Sequence, residues 1–337
     1  MRATIRDVAR VAGVSDGTVS NTLNRPHLVT DETRERVHQA MEAVGYIPNA
    51  SARALRVGRS RSIGLVVLDV GNPFFTDVAT GAEEAAADVG ADVALFDTGL
   101  GEYDREQRLL RRLTERRLDG LIITPHDVED PLLAELEQRG TPVVILAREV
   151  SSRRRSAVRS DDDYGGVLAA EHLIGLGHRR LAYAGWRHDE RYQGAARTAA
   201  AAQAQLTWLE TANAEFADGL AAGARLVAIP AAERPTAIFC ANDLIAVGLV
   251  QEVTRNGLRI PEDLAVVGFD DTDLASAACA VELTSVHQAA VDIGRTAVKQ
   301  LIQEMSDPAV EHKDIVFTPE LVVRESSTAR ILGRSRA

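Results

Sequence analysis

The sequence predicts an α/β protein, with a small all-α head followed by two doubly wound parallel-sheet subdomains. Three observations carry that reading. Apolar residues recur at helical spacing through residues 5–44. Beyond residue 62, short and nearly all-apolar segments alternate with amphipathic ones, the pattern of parallel strands covered by helices on both faces. The chain of 337 residues, 45% hydrophobic, exceeds one typical core and calls for two or three domains.

In the head, Ile5, Val8, Ala9 and Ala12 share one helical face, and Thr4 with Asp7 has the form of a capping box. Gly13 stops that helix. Ser15 can cap the next one, whose inward face is Val19 and Leu23. Thr30 can cap a third helix, in which Val37, Ala40, Met41 and Val44 close a small core before Gly45 ends it. Two short helices around a glycine turn describe a helix-turn-helix with its second helix free to enter a major groove. Apolar spacing alone describes an ordinary αα-hairpin equally well. Tyr46-Ile47-Pro48 is extended, as a residue before proline prefers. Residues 49–56 are helix-capable but too few to stay helical alone in water, and a polar linker, Val57–Arg61, follows.

The body reads as two series. Ile63–Leu68, Asp92–Phe96, Gly120–Ile123, Pro142–Ala147 and Ala157–Ser160 are five short buried strands, with helices near Asp77–Val89, Arg105–Arg116 and Leu132–Arg139. Arg180–Ala184, Thr236–Cys240 and Ala265–Phe269 begin the second series, with helices near Tyr164–Leu176, Asp243–Asn256 and Gln288–Met305. A ligand of such sheets sits beyond the carboxyl ends of the strands.

Charge is divided unevenly. Residues 1–61 hold 10 Lys+Arg against 6 Asp+Glu, whereas the remainder holds 28 against 43, within a net charge of −11. A basic head on an acidic body suits a protein that meets nucleic acid only through its head. The two cysteines, Cys240 and Cys279, lie far apart in apolar or small-residue surroundings and read as free thiols in a reducing compartment. There is no apolar signal segment, and no apolar run approaches the ~18 residues a membrane helix needs. A soluble, cytoplasmic protein with no membrane partner is expected.

The string Asp7-Val8-Ala9-x-x-Ala12-Gly13-Val14-Ser15-x-x-Thr18-Val19-Ser20-x-x-Leu23-Asn24 closely resembles the DNA-binding signature of the LacI/GalR family of bacterial transcription regulators. The resemblance continues through Gly177-His178-Arg179-Arg180, Pro235–Asp243, Val267-Gly268-Phe269-Asp270-Asp271 and Leu321–Ser326, and covers residues 3–328. It implies a helix-turn-helix head over 1–48, a hinge helix and linker over 49–61, and a bilobal periplasmic-binding-protein-like core over 62–330. The N-subdomain of that core is implied to comprise 62–160 plus 287–318, and the C-subdomain 161–286 plus 319–330. It implies further that hinge segments of a homodimer meet in the minor groove with Leu55 as an apolar wedge. Residues 195–213 depart from the family: alanine-rich and short, they put one strand beside the cleft in doubt.

In the recognition helix, Asp16, Gly17, Thr18, Ser20 and Asn21 face outward, and the family sets operator choice chiefly at the positions of Asp16 and Gly17. A carboxylate near phosphates is repelled unless it accepts a hydrogen bond, so Asp16 either meets a cytosine amino group or simply caps its helix. Asn21 suits an adenine or a phosphate. Thr4, Ser15, Thr18, Ser20 and Asn24 suit backbone phosphates, which fix register without reading sequence. Asn49, Ala52, Leu55 and Arg56 are the hinge candidates, and the arginines from Arg53 to Arg61 supply salt-dependent affinity.

For the effector, Asn72, Phe74 and Phe75 follow the first core strand, where an aromatic pair can stack on a ring or pack into the core. By matching motifs, Arg148, Asp161, Arg191, Phe239, Asn242 and Asp270 complete the candidate site. Carboxylates, an amide and guanidiniums around aromatic walls suit a hydroxyl-rich neutral ligand. Ala147 stands where many relatives carry an acid. The Arg153-Arg154-Arg155 run reads as a solvated loop, and His178 as a partner of backbone groups.

The expected function is a sequence-specific DNA-binding regulator, a homodimeric repressor of a pseudo-palindromic operator. A small metabolite, a sugar or related polyol, controls it from between the core subdomains. A corepressor-dependent repressor or activator answering a nucleoside or purine has the same parts, and an exported solute-binding transport protein shares the body. No nucleophile elbow, phosphate-binding glycine loop or paired-histidine metal spacing is present, so no enzyme, metal or cofactor is expected.

Overall fold

The structure is a computed structural model, and it describes residues 3–46, 62–100, 102–115, 118–150, 154–307 and 309–328. The hinge candidates Asn49, Ala52, Leu55 and Arg56, with the arginines from Arg53 to Arg61, lie outside the described residues. The chain divides into two compact units, Met1–Ser60 and Arg61–Ala337.

In the first unit, helices α1 (Ile5–Ala12), α2 (Asp16–Asn24) and α3 (Asp31–Val44) enclose Val8, Ala9, Val19, Val37 and Ala40. The Thr4–Asp7 capping box forms, and Gly13 and Gly45 adopt left-handed C-caps with φ of 65° and 63°. Glycine takes that conformation without the steric cost any side chain would add. Ser15 and Thr30 cap α2 and α3. Val19 and the half-buried Leu23 pack on that core as the spacing indicates, and Thr22 is buried beside them, its hydroxyl donating to the Thr18 carbonyl at 3.0 Å.

The second unit contains two six-stranded sheets. The first comprises β1 (Ser62–Val67), β2 (Asp92–Asp97), β3 (Gly120–Ile123), β4 (Val143–Leu146), β5 (Ser156–Ser160) and β11 (Asp314–Phe317), all parallel, in the order β11-β5-β4-β3-β1-β2. Helices α4 (Pro73–Asp88), α5 (Tyr103–Glu115), α6 (Pro131–Gln138) and α12 (Ala290–Ser306) cover it. The second sheet has the order β12-β10-β9-β8-β6-β7. It comprises β6 (Arg180–Gly185), β7 (Gln205–Glu210), β8 (Ala237–Cys240), β9 (Ala265–Asp270), β10 (Thr284–His287) and an antiparallel edge, β12 (Glu320–Val322). Around it lie α7 (Asp162–Gly175), α8 (Glu190–Ala201), α9 (Phe216–Ala228), α10 (Asp243–Arg255), α11 (Asp273–Ala278) and α13 (Glu325–Thr328).

The chain passes between the lobes after Ser160, after His287, and between Phe317 and Glu320. The Asp161 N–H donates to the Phe317 carbonyl at 2.9 Å and so ties two of those crossings together.

Three expectations need correction. The strand in doubt near 195–213 is present: β7 pairs in parallel with β6 along its whole length, although its edge position and mixed burial hid it among the alanines. Asp92–Asp97 is half-exposed rather than buried, because β2 is likewise an edge strand with one neighbour. Arg155 is not solvated. Its guanidinium is buried, gripping both Glu137 carboxylate oxygens at 2.7 and 3.0 Å and the Val128 carbonyl at 2.6 Å.

Candidate DNA-binding head and effector cleft

Helix α2 carries the expected DNA-facing residues on a solvent-exposed side. Ser15, not Asp16, is the cap: its hydroxyl accepts from the Thr18 N–H at 3.0 Å and meets the Thr18 hydroxyl at 2.9 Å. Asp16 is therefore free of the capping role that was its alternative. Its carboxylate lies 3.6 Å from the Arg6 guanidinium on α1, both exposed, which offsets part of the repulsion a phosphate backbone would exert. Gly17 and Asn21 are exposed, Thr18 and Ser20 half-buried, and Asn24 is the last residue of α2. Thr4 is committed to its capping box.

In the core, strand order reverses around β1 and around β6, so a crevice opens beyond the carboxyl ends of β1 and β3 in one lobe and β6 and β8 in the other. Asn72 caps α4 by accepting from the Phe74 N–H at 3.0 Å. Phe74 and Phe75 meet edge to face at 5.1 Å, and both are buried in the core of the first lobe. Arg148 is exposed at the end of β4.

Arg191 is the centre of the second lobe's rim. Its Nε and Nη2 each lie 3.1 Å from Asp162 Oδ2, Nη1 donates to the Ala241 carbonyl and stands 3.9 Å from Asp270, and the guanidinium stacks 3.8 Å over the Phe269 ring. The backbone dictates this proximity. Helices α7 and α8 cross so closely that a Cβ on Gly166 would stand 2.0 Å from the Arg191 carbonyl oxygen, and one on Gly194 2.0 Å from that of Asp163.

Asp161 caps α7 through the Tyr164 N–H at 2.9 Å, leaving Asp162 to face Arg191 and Asp163 to pair with Arg197. Asn242 caps α10 and donates to the Ala214 carbonyl at 2.9 Å. Phe239 is buried between Tyr183 and Phe269. His178 bonds the Thr236 hydroxyl at 2.8 Å, a side-chain partner that reading the turn by itself did not suggest.

Electrostatically, Arg191 is neutralised where it stands. Burial opposes its charge, but Asp162, Asp189 and Asp270 outweigh burial and hold its proton more firmly than usual. Burial pushes the Asp270 carboxyl up to about 7 against the pull of Arg191; φ is 98° there, and Gln288 donates to it at 2.8 Å. Burial likewise raises Asp243 to about 6, partly offset by the Ser285 hydroxyl and the Thr272 N–H. A raised folded-state pKa means the native state holds the proton that the unfolded state has lost. Asp270 therefore lowers stability as pH rises from about 4 towards 7. Asp270→Asn should flatten that decline, so the stability difference between variant and parent shifts in the variant's favour from pH 5 to 7.5 in denaturant titrations. A constant difference would contradict it.

Several residues around Arg191 escaped the sequence: Asp162, Asp189, Phe269 and Gln288. A cavity of about 370 Å³ lies between the lobes, lined by Gly71, Pro73, Thr76, Asp77 and Asp273. Burial and then the Asp273 charge raise the Asp77 carboxyl. Among the described residues no group of three or more His, Cys, Asp or Glu could hold a metal, and no helix is long and apolar enough to cross a membrane.

Residues 4–49 match the model for bacterial regulatory proteins of the lacI family, and residues 170–327 that for a periplasmic binding protein-like domain. The chain is 35% identical over 337 residues to the HTH-type transcriptional repressor PurR of Aliivibrio fischeri strain MJ11, covering 98% of this chain and 99% of that protein. The chain belongs to the LacI family. A Vibrio cholerae HTH-type transcriptional repressor PurR is 34% identical, covering 96% of this chain and 98% of that one.

Among solved structures, the lac repressor dimer bound to operator and the anti-inducer ONPF superposes with a TM-score of 0.83 at 27% identity, covering 98% of this chain and all of that one. A CelR–cellobiose complex does so with 0.70 at 29%, covering 97% and 100%. These LacI relatives are transcription regulators and not enzymes. This LacI-family protein is a DNA-binding transcriptional repressor with a ligand-binding core.

Proposed function

We propose that the repressor acts in the cytoplasm as a homodimer. Two heads grip a pseudo-palindromic operator, and a small, uncharged, hydroxyl-rich effector bound between the lobes sets the strength of that grip. The observation that carries the effector class is a set of three buried hydroxyls that have no hydrogen-bond partner among the described residues: Thr124, Ser160 and Thr211. Each sits at or just past the carboxyl end of a strand, β3, β5 and β7 respectively. Buried polar atoms are rarely left unpaired, and a ligand able both to donate and to accept would satisfy them.

Charge supports the same class. The half-buried Arg191 guanidinium at the second lobe's rim is already matched by Asp162 and Asp270, and Asp77 and Asp273 line the cavity, which favours a neutral ligand over an anionic one. A purine or nucleoside effector is the second reading, favoured by the relatives named PurR. Titrating monosaccharides, disaccharides and purines into the operator complex separates the two by which class changes operator affinity, and the sign of the change separates inducer from corepressor.

Asp16 is proposed to read bases. Asp16→Ala should tighten binding to random duplex and weaken discrimination at one base pair of each half-site by about 1–3 kcal/mol. Unchanged discrimination across a set of singly substituted operators would remove Asp16 from base readout.

A further inference from the structure

We propose that Arg6 is a second base-reading residue of the head: with Asp16 it reads a single G·C pair, Arg6 taking the guanine and Asp16 the cytosine. The inference rests on the reading that α2 enters the major groove with Asp16 facing bases. It adds to that reading a residue from the other helix.

Arg6 differs from its neighbours in where its charge goes. Among the described residues of the head, Arg10 pairs with Asp7 and Arg34 with Asp31, each within its own helix. Arg6 instead reaches from the first turn of α1 to the first residue of α2, its Nε 3.6 Å from Asp16 Oδ2. That is longer than a hydrogen bond, so the contact is electrostatic and loose. The two side chains are 89% and 57% exposed, and a pair so wet adds little to the stability of the free head. It stays available to a partner.

The surroundings keep the pair open. Ser15 caps α2, which releases Asp16 from that duty. Gly17 follows with no side chain, and a Cβ built there would meet only the Ser15 hydroxyl, at 3.5 Å. Thr4 and Asp7 are engaged in the α1 capping box, so neither competes with Asp16 for Arg6.

The groove edge of a G·C pair is the complement of this couple. Guanine presents two adjacent acceptors, N7 and O6, and cytosine one donor, its N4 amino group. O6 and N4 are joined by the Watson–Crick N–H···O bond and stand about 3 Å apart. Arg6 and Asp16 offer a forked donor and an acceptor at nearly that spacing. An A·T pair sets its donor between two acceptors, which breaks the fork. Each partner also favours the other in the groove: the guanidinium offsets phosphate repulsion of Asp16, and the carboxylate holds Arg6 beside its base.

The test uses full-length protein and the operator recovered by selection from random duplex. Every single base-pair substitution of one half-site is titrated at fixed salt against the parent, Arg6→Ala, Arg6→Lys, Asp16→Ala and the double alanine variant. The parent should prefer G·C over A·T at one base pair by about tenfold or more. Arg6→Ala should erase most of that preference at the same base pair that Asp16→Ala affects, leaving discrimination elsewhere within about twofold. Arg6→Lys, a point charge without a fork, should recover only part. The double variant should lose no more than the worse single one, because the two side chains act as a unit. An unfolded head would lose discrimination at every position, so a loss confined to one base pair is not a folding defect.

If Arg6→Ala weakens all sequences equally and flattens the salt dependence, Arg6 holds a phosphate, and the proposal falls while Asp16 remains a reader. An Arg6→Ala variant indistinguishable from its parent has the same consequence. Asp16→Ala without effect at any base pair overturns both the pair and the reading beneath it.

Discussion

Arg191→Met is expected to destabilise the core by about 3–5 kcal/mol, because it leaves the buried Asp270 and the half-buried Asp162 without their cation. Both Asp162 and Asp270 lose their partner, and so does the Ala241 carbonyl. For a unit of this size the loss corresponds to a drop of about 10 °C in Tm. The effect should be larger at pH 8 than at pH 6. Asp270 titrates near 7 in the folded protein, so at the lower pH it takes up a proton and relieves part of the unpaired charge. Arg191→Lys should restore only part of the stability, since an ammonium cannot both fork towards Asp162 and stack flat on Phe269. Thermal unfolding of the three proteins at the two pH values checks this. A Met variant as stable as the parent would mean that Asp162 and Asp270 do not depend on Arg191.

Val8→Asp should abolish operator binding while leaving effector binding unchanged. Val8 is fully buried in a head core whose other buried apolar members, among the described residues, are Ala9, Val19, Val37 and Ala40. So small a domain is marginally stable, and an unpaired carboxylate in its centre costs several kcal/mol. The head then unfolds, α2 is lost with it, and operator affinity falls by at least ~10³-fold, towards the non-specific level. The core is a separate compact unit and keeps its fold. Operator anisotropy paired with effector titration on the same preparation reads both halves. Retained operator binding would separate DNA recognition from the folded head.

The head was legible residue by residue because its signals are local. Thr4 with Asp7, Ser15, Thr30, and the glycines at 13 and 45 act within one helical turn, and the structure uses each as the spacing indicates. The core was legible in its βα alternation but not at its edges. Strand β7 alternates exposed and half-buried positions, with Leu209 buried, beside one neighbour, so it lacks the continuous apolar run that marks β3 or β8.

The cleft was legible least, because its geometry is decided by contacts far apart in sequence. Asp161, Asp162 and Asp163 look alike in the chain, yet one caps a helix, one meets Arg191 twenty-nine residues on, and one meets Arg197. Only the glycine-tight crossing of α7 and α8 settles which is which. The same holds for Arg155, whose partner Glu137 is eighteen residues upstream.

The central claim is that a folded helix-turn-helix head selects a symmetric duplex and that a ligand in the core alters this selection. The most direct measurement is repeated selection of randomised duplex DNA by the full-length protein at moderate ionic strength, followed by titration of the recovered sequence with and without saccharides and purines. The account predicts an inverted repeat, bound at least ~10³-fold more tightly than random duplex, whose affinity changes when one of those ligands is added. Recovery of no preferred sequence, or of one whose affinity no ligand alters, would contradict it.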